Sequence, residues 1–445
     1  MTSHPPTPWW RLLNRRHWFV FAVASLAWLF DCLDQQLFNL ARDAAMEDLL
    51  TDKAKATEFA PYTTSVFLLG WAFGGLTLGA LGDRFGRARL LTVSVLLYSL
   101  CTGLSALSTS FFDFCAYRFA TGIGVGGVFG LAVALVADSL PDQGRAPALG
   151  LLQSLSAAGN ITAGLIGMYI SSVPTLPFGL KAWQAMFLVG AIPAFLSILI
   201  LGRLQEPEKW VAAKAASVTT GERFGSYFAL LGDQRWRSRA WLGLAICSVG
   251  VIGLWGLGNF HPKIVRTIVE THLASKHLSP AALAGEKAYW SSVALLIQNI
   301  GAFFGVTALT AVAQAKGRRP AFALALLLSF GTTVMVFKGL REFSQIFWMI
   351  PLMGFGQVAI FGLYAIYLPE LFPTSLRSTG ISFCYNIGRI VAATAPFTLG
   401  VITRRLGGDI EGFRTAGLWV SLVLLAGLIV VPFLPETKGQ PLPEA

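Results

Sequence analysis

Apolar stretches of about 20 residues recur along this chain from end to end. At about 1.5 Å of rise per residue, each is long enough to cross the hydrocarbon core of a bilayer as a helix. Composition supports that reading where it counts. Charged residues make up 13% of the 445-residue sequence and hydrophobic ones 54%, with a mean hydropathy of +0.62. Soluble domains carry roughly 25% charged residues. The chain is therefore a polytopic α-helical membrane protein, and a soluble enzyme with a large core is excluded.

Twelve spans are expected. They lie at 18–40, 61–82, 90–109, 111–137, 147–172 and 183–202, then at 240–260, 289–312, 320–337, 345–368, 378–402 and 414–434. The longest polar stretch, 203–239, separates the two groups of six and carries Arg203, Lys209, Lys214, Arg223, Arg235, Arg237 and Arg239. The expected division is thus 1–202, a linker at 203–239, and 240–445. An even number of spans leaves both termini on one side. Placing them inside puts more of the lysines and arginines in inner segments than in outer ones, as cytoplasmic loops require. The net charge of +11 is read as this topology signal and not as a nucleic-acid footprint. The first helix reads as an uncleaved anchor, because no small-residue cleavage site follows it. Cys32, Cys101, Cys115, Cys247 and Cys384 all fall in spans, without spacing that suggests a disulfide frame or a zinc site.

The two groups of six repeat one another. ADSLPDQGR (137–145) follows the fourth span, and PELFPTSLR (369–377) follows the tenth. Aligned, Asp138 meets Glu370, Pro141 meets Pro373 and Arg145 meets Arg377, at an offset of 232. GDRFGRAR (82–89) and AQAKGRRP (313–320) match at 231. Duplicated helical units facing each other across a midplane site are a transporter architecture.

These segments resemble the major facilitator superfamily. GDRFGRARL looks like its loop signature. YRFATGIGVGG with ADSLPDQGR, then PELFPTSLR and the terminal PETKG (435–439), resemble its sugar-porter-like branch. The resemblance covers nearly the whole chain. It implies an all-α membrane protein with twelve transmembrane helices in two pseudo-symmetric six-helix bundles. It also implies a cytoplasmic charge latch, carried over to Asp83, Arg84, Arg87, Asp138, Arg145, Glu370, Arg377 and Glu436. The second copy departs from the pattern, since Gln314 stands where the first has an aspartate, and that puts the symmetric half of the latch in question. Within the fourth span, Gly122, Gly126 and Gly130 recur every four residues, which lets another helix approach closely. GIGVGG is not read as a dinucleotide loop, because it sits mid-span and not between a strand and a helix.

Charges inside the spans point to chemistry. Asp31 and Asp34 share a face of the first span, which Gln35 extends. Arg118 lies in the fourth span and Arg389 in the eleventh. Each buried charge costs about 2.5–3.5 kcal/mol on an insertion scale. Such groups should face a wet cavity, pair with one another, or titrate. A carboxyl that titrates can carry a proton, and a guanidinium presents a planar fork to a carboxylate. Asn386 shares a face with Arg389. Arg389 is expected to bind the substrate anion, with Arg118 as a second ligand; Arg118 serves equally well as a helix-packing residue, and Asp34 can also hold it in a static ion pair. Further polar candidates for a substrate cavity are Gln153, Asn160, Gln298, Asn299, Gln357 and Tyr364, each equally suited to an interhelical hydrogen bond. An Asp-x-x-Asp in the first span with an arginine in the eleventh resembles proton symporters of aromatic and other organic acids, including sialic acid. Relatives of that kind often have glycine where this chain has Cys32.

The expected function is proton-coupled import of a small organic anion by alternating access, with Asp31 and Asp34 carrying the proton. A neutral-sugar porter is the alternative, favoured by PETKG and PELFPTSLR. It is opposed by the lack of a Gln-Gln pair in span five and of a glutamine-rich span seven. Neither a cofactor nor nucleic acid is expected as a partner. Membrane lipid surrounds a monomer. An enzyme is not expected, because no metal cluster, nucleophile–base pair or phosphate loop stands in a workable setting.

Overall fold

The computed structural model describes residues 8–50, 56–173, 176–195, 203–257, 261–276, 279–392 and 394–444. Helices α1 to α6 are Arg15–Leu49, Ala56–Phe85, Arg87–Ser105, Phe111–Ser139, Asp142–Ser172 and Ala182–Gly190. Helices α7 and α8, Glu208–Thr220 and Tyr227–Gly232, occupy the expected linker. Helices α9 to α12 are Gln234–Gly256, His261–Leu273, Pro280–Lys316 and Arg318–Gly339. Helices α13 to α16 are Ile346–Leu371, Arg377–Ala392, Thr394–Arg405 and Ile410–Val430. No strand occurs among the described residues.

Among the described residues, ten helices are long and apolar enough to cross a membrane. The two other expected spans run into residues outside the description. The sixth shows an apolar helix at Ala182–Phe195, with 196–202 beyond it. In the eleventh, α14 and α15 lie on either side of residue 393, which is outside the described residues.

Hydropathy understates the helices at the end opposite the termini. The segments expected as outer loops, 41–60 and 261–288, are largely helical. α1 runs on to Leu49 and α2 begins at Ala56, while α10 and the first turns of α11 occupy the second segment. At about 1.5 Å per residue, the 35 residues of α1 reach beyond a hydrocarbon core of roughly 30 Å. Backbone hydrogen bonding continues past the lipid boundary, where hydropathy no longer reports it. Polar contacts steady these extensions. Arg42 donates to Thr64 Oγ1 at 3.0 Å, and Lys181 pairs with Asp48. α10 is amphipathic and buries Ile264, Val265, Ile268 and Val269 in a cluster with α11 and α16.

Glycines set the tightest packing. Gly70 and Gly74 of α2 lie against the backbone of Phe119 and Ile123, while Gly122 and Gly126 of α4 lie against that of Phe67 and Trp71. Any added Cβ would meet main chain, which cannot yield as a side chain does. The second half repeats this, with Gly301 and Gly305 of α11 against Pro351 and Phe355 of α13. The halves meet chiefly along α2 with α14 and along α5 with α11. These two pairs exchange under the repeat.

Candidate functional site

Three polar clusters and one cavity hold part of the expected site, and the remaining candidates lie elsewhere. The first cluster lies where α1, α2 and α14 converge. Asp31 is fully buried and accepts from Gln35 Nε2 at 3.0 Å, one helical turn on. Arg389 is its electrostatic partner from the other half. The Arg389 guanidinium carbon lies 3.5 Å from the centre of the Trp71 ring and 4.2 Å from that of Tyr385. Its Nε and Nη1 have no hydrogen-bond partner. Tyr385 stacks on Phe129 at 4.2 Å, and Phe129 meets Trp28 at 5.0 Å. The result is a cation lined by aromatic faces, with two N–H donors unused. Asn386 packs against Gly75 of α2 and donates to Ser382 O of its own helix at 3.0 Å, leaving Oδ1 without a partner.

The second cluster is inside the first half. Arg118 is fully buried, and its guanidinium donates to Ser105 Oγ at 2.7 Å, Thr121 Oγ1 at 3.0 Å and Thr102 Oγ1 at 3.2 Å. Phe187, Phe38 and Phe114 surround it, with ring centres 4.7, 5.5 and 5.9 Å away. Asp34 is 1% exposed and within electrostatic range of Arg118. The two do not form an ion pair within 4 Å among the described residues. Hydroxyls hold Arg118 in place of the static carboxylate pair that the sequence also allowed.

The third cluster is at the end carrying both termini. Asp83 at the end of α2 accepts from the Ser378 N–H at 3.1 Å and from the Thr379 N–H and hydroxyl, both at 2.8 Å. A carboxylate on the first turn of α14 suits the positive end of a helix. Arg87 binds Asp83 at 3.0 Å, pairs with Asp138, and donates to Thr374 O in the other half at 2.6 Å. Asp138 also pairs with Arg377. These contacts fasten one half to the other at this end. The linker lies across the join, with the Tyr227 hydroxyl donating to Leu76 O at 2.6 Å and the Gly225 N–H to Ser375 O at 3.0 Å.

Other latch candidates are placed elsewhere. Arg84 is exposed, beside the ring of Phe85. Arg145 binds Asp142 in its own turn at 2.7 Å. Glu370 binds Arg318 at 2.8 and 3.1 Å and accepts from Thr437 at 2.6 Å, all in the second half. Glu436 accepts from the N–H groups of Arg318 and Arg319 at the start of α12, at 2.9 and 3.1 Å. Burial opposes its charge, but these N–H groups and that of Lys438 outweigh it and hold the carboxyl below its usual range.

Two residues of this network escaped the sequence reading. Arg318 is the repeat partner of Arg87. Glu206 accepts from the N–H groups of Arg87, Ala88 and Arg89 at 2.8, 3.1 and 3.1 Å, as Glu436 does on α12. The signal was present, since Glu206 and Glu436 are 230 apart, close to the other repeat offsets. Gly86 and Gly317, at φ 116° and 107°, precede the two capped helices. A side chain at either would meet the capping carboxylate as well as the φ penalty.

The remaining candidates divide between cavity and core. A cavity of about 220 Å³ opens between α1, α5 and α11, lined by Gln36, Asn160, Met168, Met186, Tyr289 and Asn299 among others. The Asn160 amide donates to Asn299 Oδ1 at 3.0 Å, across the two halves. Gln153 is buried, with its amide 3.4 Å from Ser156 Oγ. Gln298 is buried where the α11 backbone meets Gly354. Gln357 donates to Thr333 at 2.7 Å and Tyr364 to Ile246 O at 2.7 Å, so both are tied inside the second half.

The sequence model of the Major Facilitator Superfamily matches residues 24–285, more than half of the chain. The chain belongs to the Major Facilitator Superfamily. The family model of sugar (and other) transporters matches residues 343–445. Among facilitator proteins, the chain is 28% identical to the cis,cis-muconate transport protein of Acinetobacter baylyi, with 95% of each chain covered. It is 24% identical to the sialic acid transporter NanX of Escherichia coli, over 95% of this chain and 96% of that one. Among solved structures it resembles the proton:xylose symporter XylE, with a TM-score of 0.75 and 17% identity over 96% of this chain and 97% of that one. That likeness shows the facilitator fold: twelve transmembrane helices in two pseudo-symmetric bundles of six. The protein is a multi-pass membrane transporter.

Proposed function

We propose that the protein imports a small organic carboxylate together with protons, by alternating access. Residues 1–202 and 240–445 are the moving halves and 203–239 the linker. Both termini are cytoplasmic, and the protein works as a monomer. One observation carries this reading: Arg389 lies half-buried between aromatic rings, with its Nε and Nη1 buried and without hydrogen-bond partners, and Asp31 is its electrostatic partner. An ionised Asp31 satisfies the Arg389 charge. Protonating Asp31 releases Arg389 for a substrate carboxylate, so proton and anion favour each other's binding. The loaded centre then carries the same net charge as the empty one, which keeps the cost of crossing low. The clasp around Asp83 and Asp138 closes the cytoplasmic side while this happens, and its rupture releases the load. The cis,cis-muconate and sialic acid relatives point to the same substrate chemistry.

The test is uptake by the reconstituted protein in proteoliposomes under an imposed inward proton gradient. Cis,cis-muconate, benzoate and sialic acid are compared with xylose. At least one acid is expected to accumulate. Asp31→Asn should abolish gradient-driven accumulation while preserving counterflow, and Arg389→Ala should abolish both. Xylose accumulation that no acid inhibits would replace this reading with that of a neutral-sugar porter.

A further inference from the structure

The seam between α2 and α14 runs from Arg389 to the end of the molecule that carries both termini. At its upper level Trp71 of α2 faces Arg389, with 3.5 Å between the guanidinium carbon and the ring centre. Turn by turn toward the termini, α2 then presents Gly75, Gly79 and Gly82 to Asn386, Ser382 and Ser378 of α14. The Asn386 side chain lies directly on Gly75. Ser382 Oγ lies on Gly79 and also on Gly130 of α4, so a Cβ at any of these three glycines would overlap a polar group of α14. Ser378 Oγ is 3.6 Å from the place that a Gly82 Cβ would take. Ser378, Ser382, Asn386 and Arg389 recur at intervals of four, four and three residues. They therefore share one face of α14 and extend over about 16 Å of its length.

Small residues by themselves account for two helices in close contact. The polar atoms do not follow from that. Ser378, Ser382 and Asn386 are 0%, 1% and 2% exposed, and the two hydroxyls and Asn386 Oδ1 have no hydrogen-bond partner. A buried polar atom without a partner is destabilising, and alanine would fit the same glycines without that cost. In the other seam between the halves, polar pairs do meet. Ser154 bonds to Thr307 at 3.2 Å and Asn160 to Asn299 at 3.0 Å, across α5 and α11. The terminal end of the α14 stripe also shows what chemistry it can hold. There the Asp83 carboxylate accepts from the Ser378 N–H at 3.1 Å and from the Thr379 N–H and hydroxyl, both at 2.8 Å.

We propose that Asn386, Ser382 and Ser378 form the release path of the substrate carboxylate, masked by glycines of α2 and α4 while the terminal end is clasped. When the halves part at that end, α2 leaves α14 and water enters the seam. The Asn386 amide and the two serine hydroxyls are then free to donate. The carboxylate passes from Arg389 down this row and reaches the first turn of α14 once Asp83 has withdrawn. Donors that are costly in the clasped state are used in the open one. This rests on the reading of Arg389 as the anchor of the carboxylate.

The test measures KM from each face, in right-side-out and inside-out membrane vesicles, with whichever of cis,cis-muconate, benzoate and sialic acid the wild type accumulates. Ser382→Ala, and Ser382→Ala combined with Ser378→Ala, are compared with wild type and with Arg389→Ala. KM from the terminal face should rise about fivefold in the single variant and about tenfold or more in the double one, as one and then two donors to a carboxylate are lost. KM from the opposite face should keep its wild-type value, because Arg389 is untouched. A merely structural role gives another pattern. Alanine would then favour the clasped state, so affinity would tighten from the opposite face as it weakened from the terminal one. That reciprocal shift, or an unchanged KM at the terminal face, overturns the path. Wild-type affinity from both faces in Arg389→Ala would remove the anchor reading and the path with it.

Discussion

The two copies of the charged loop at the terminal end do different work. In the first half, Asp83 reaches across to the start of α14, and Asp138 joins Arg87 to Arg377 of the other half. In the second half, Gln314 stands at the position of Asp83 and, among the described residues, donates to Thr310 O of its own helix, at 3.3 Å. Arg318 then turns to Glu370, and Thr437 completes a network that stays at home. A duplicated sequence has thus produced one strap between the halves and one internal brace. A carboxylate can cap a helix of the other half and hold an arginine at once, whereas an amide can do neither as well.

The comparison can be broken most sharply at Asp138. Asp138→Asn leaves the buried Arg377 guanidinium without its carboxylate and Arg87 with Asp83 alone. Breaking a buried pair costs about 3–5 kcal/mol. The expected result is a large fall in melting temperature and a terminal end open to thiol labels placed along α14. Glu370→Gln should cost comparable stability but leave labelling unchanged, since its contacts stay within one half. Equal labelling in both variants would contradict the asymmetry.

Gln314→Asp sharpens it from the other side. A carboxylate there restores what the first copy has, and a second strap should hold the terminal end shut. Uptake is expected to slow several-fold, with the loss reversed in Gln314→Asp combined with Asp83→Asn. A Gln314→Asp protein that transports at the wild-type rate would mean that this position does not decide which copy crosses.

The smallest effect concerns the feature both copies share. Glu206→Gln and Glu436→Gln each weaken a carboxylate cap on a helix start and should each cost about 0.5–2 kcal/mol. Because the folded structure holds the Glu436 carboxyl below its usual range, its contribution is present at neutral pH. It is lost as pH falls below about 4. Thermal unfolding of wild type and Glu436→Gln should therefore converge in acid and diverge at pH 7.

The parts of this picture that the sequence revealed are those written in local pattern. Apolar runs gave the crossing helices, and the offsets of 231 and 232 gave the duplication. The same arithmetic at 230 would have exposed Glu206. Gly122 and Gly126 announced a close helix contact, and that contact is with α2. Gln357 and Tyr364 had the same polar signature as Asn160 and Asn299, yet two are tied inside one half and two meet across the halves. Nothing along the chain distinguishes them, because a helix shows which residues share a face but not what that face meets.

By itself, the amino-acid order determined that the chain crosses a membrane many times, that it is built twice, and that rare charges lie within the first, fourth and eleventh spans. Lipid enforces the first and the last through local cost, which can be counted residue by residue, and the duplication is legible as a fixed offset along the chain. Only the tertiary structure decided that Arg389 lies between Trp71 and Tyr385 with Asp31 as its counter-charge, that hydroxyls and aromatic rings hold Arg118, and that a single copy of the loop bridges the halves. Partners hundreds of residues apart are chosen by how the helices pack, and packing is a property of the assembled bundles.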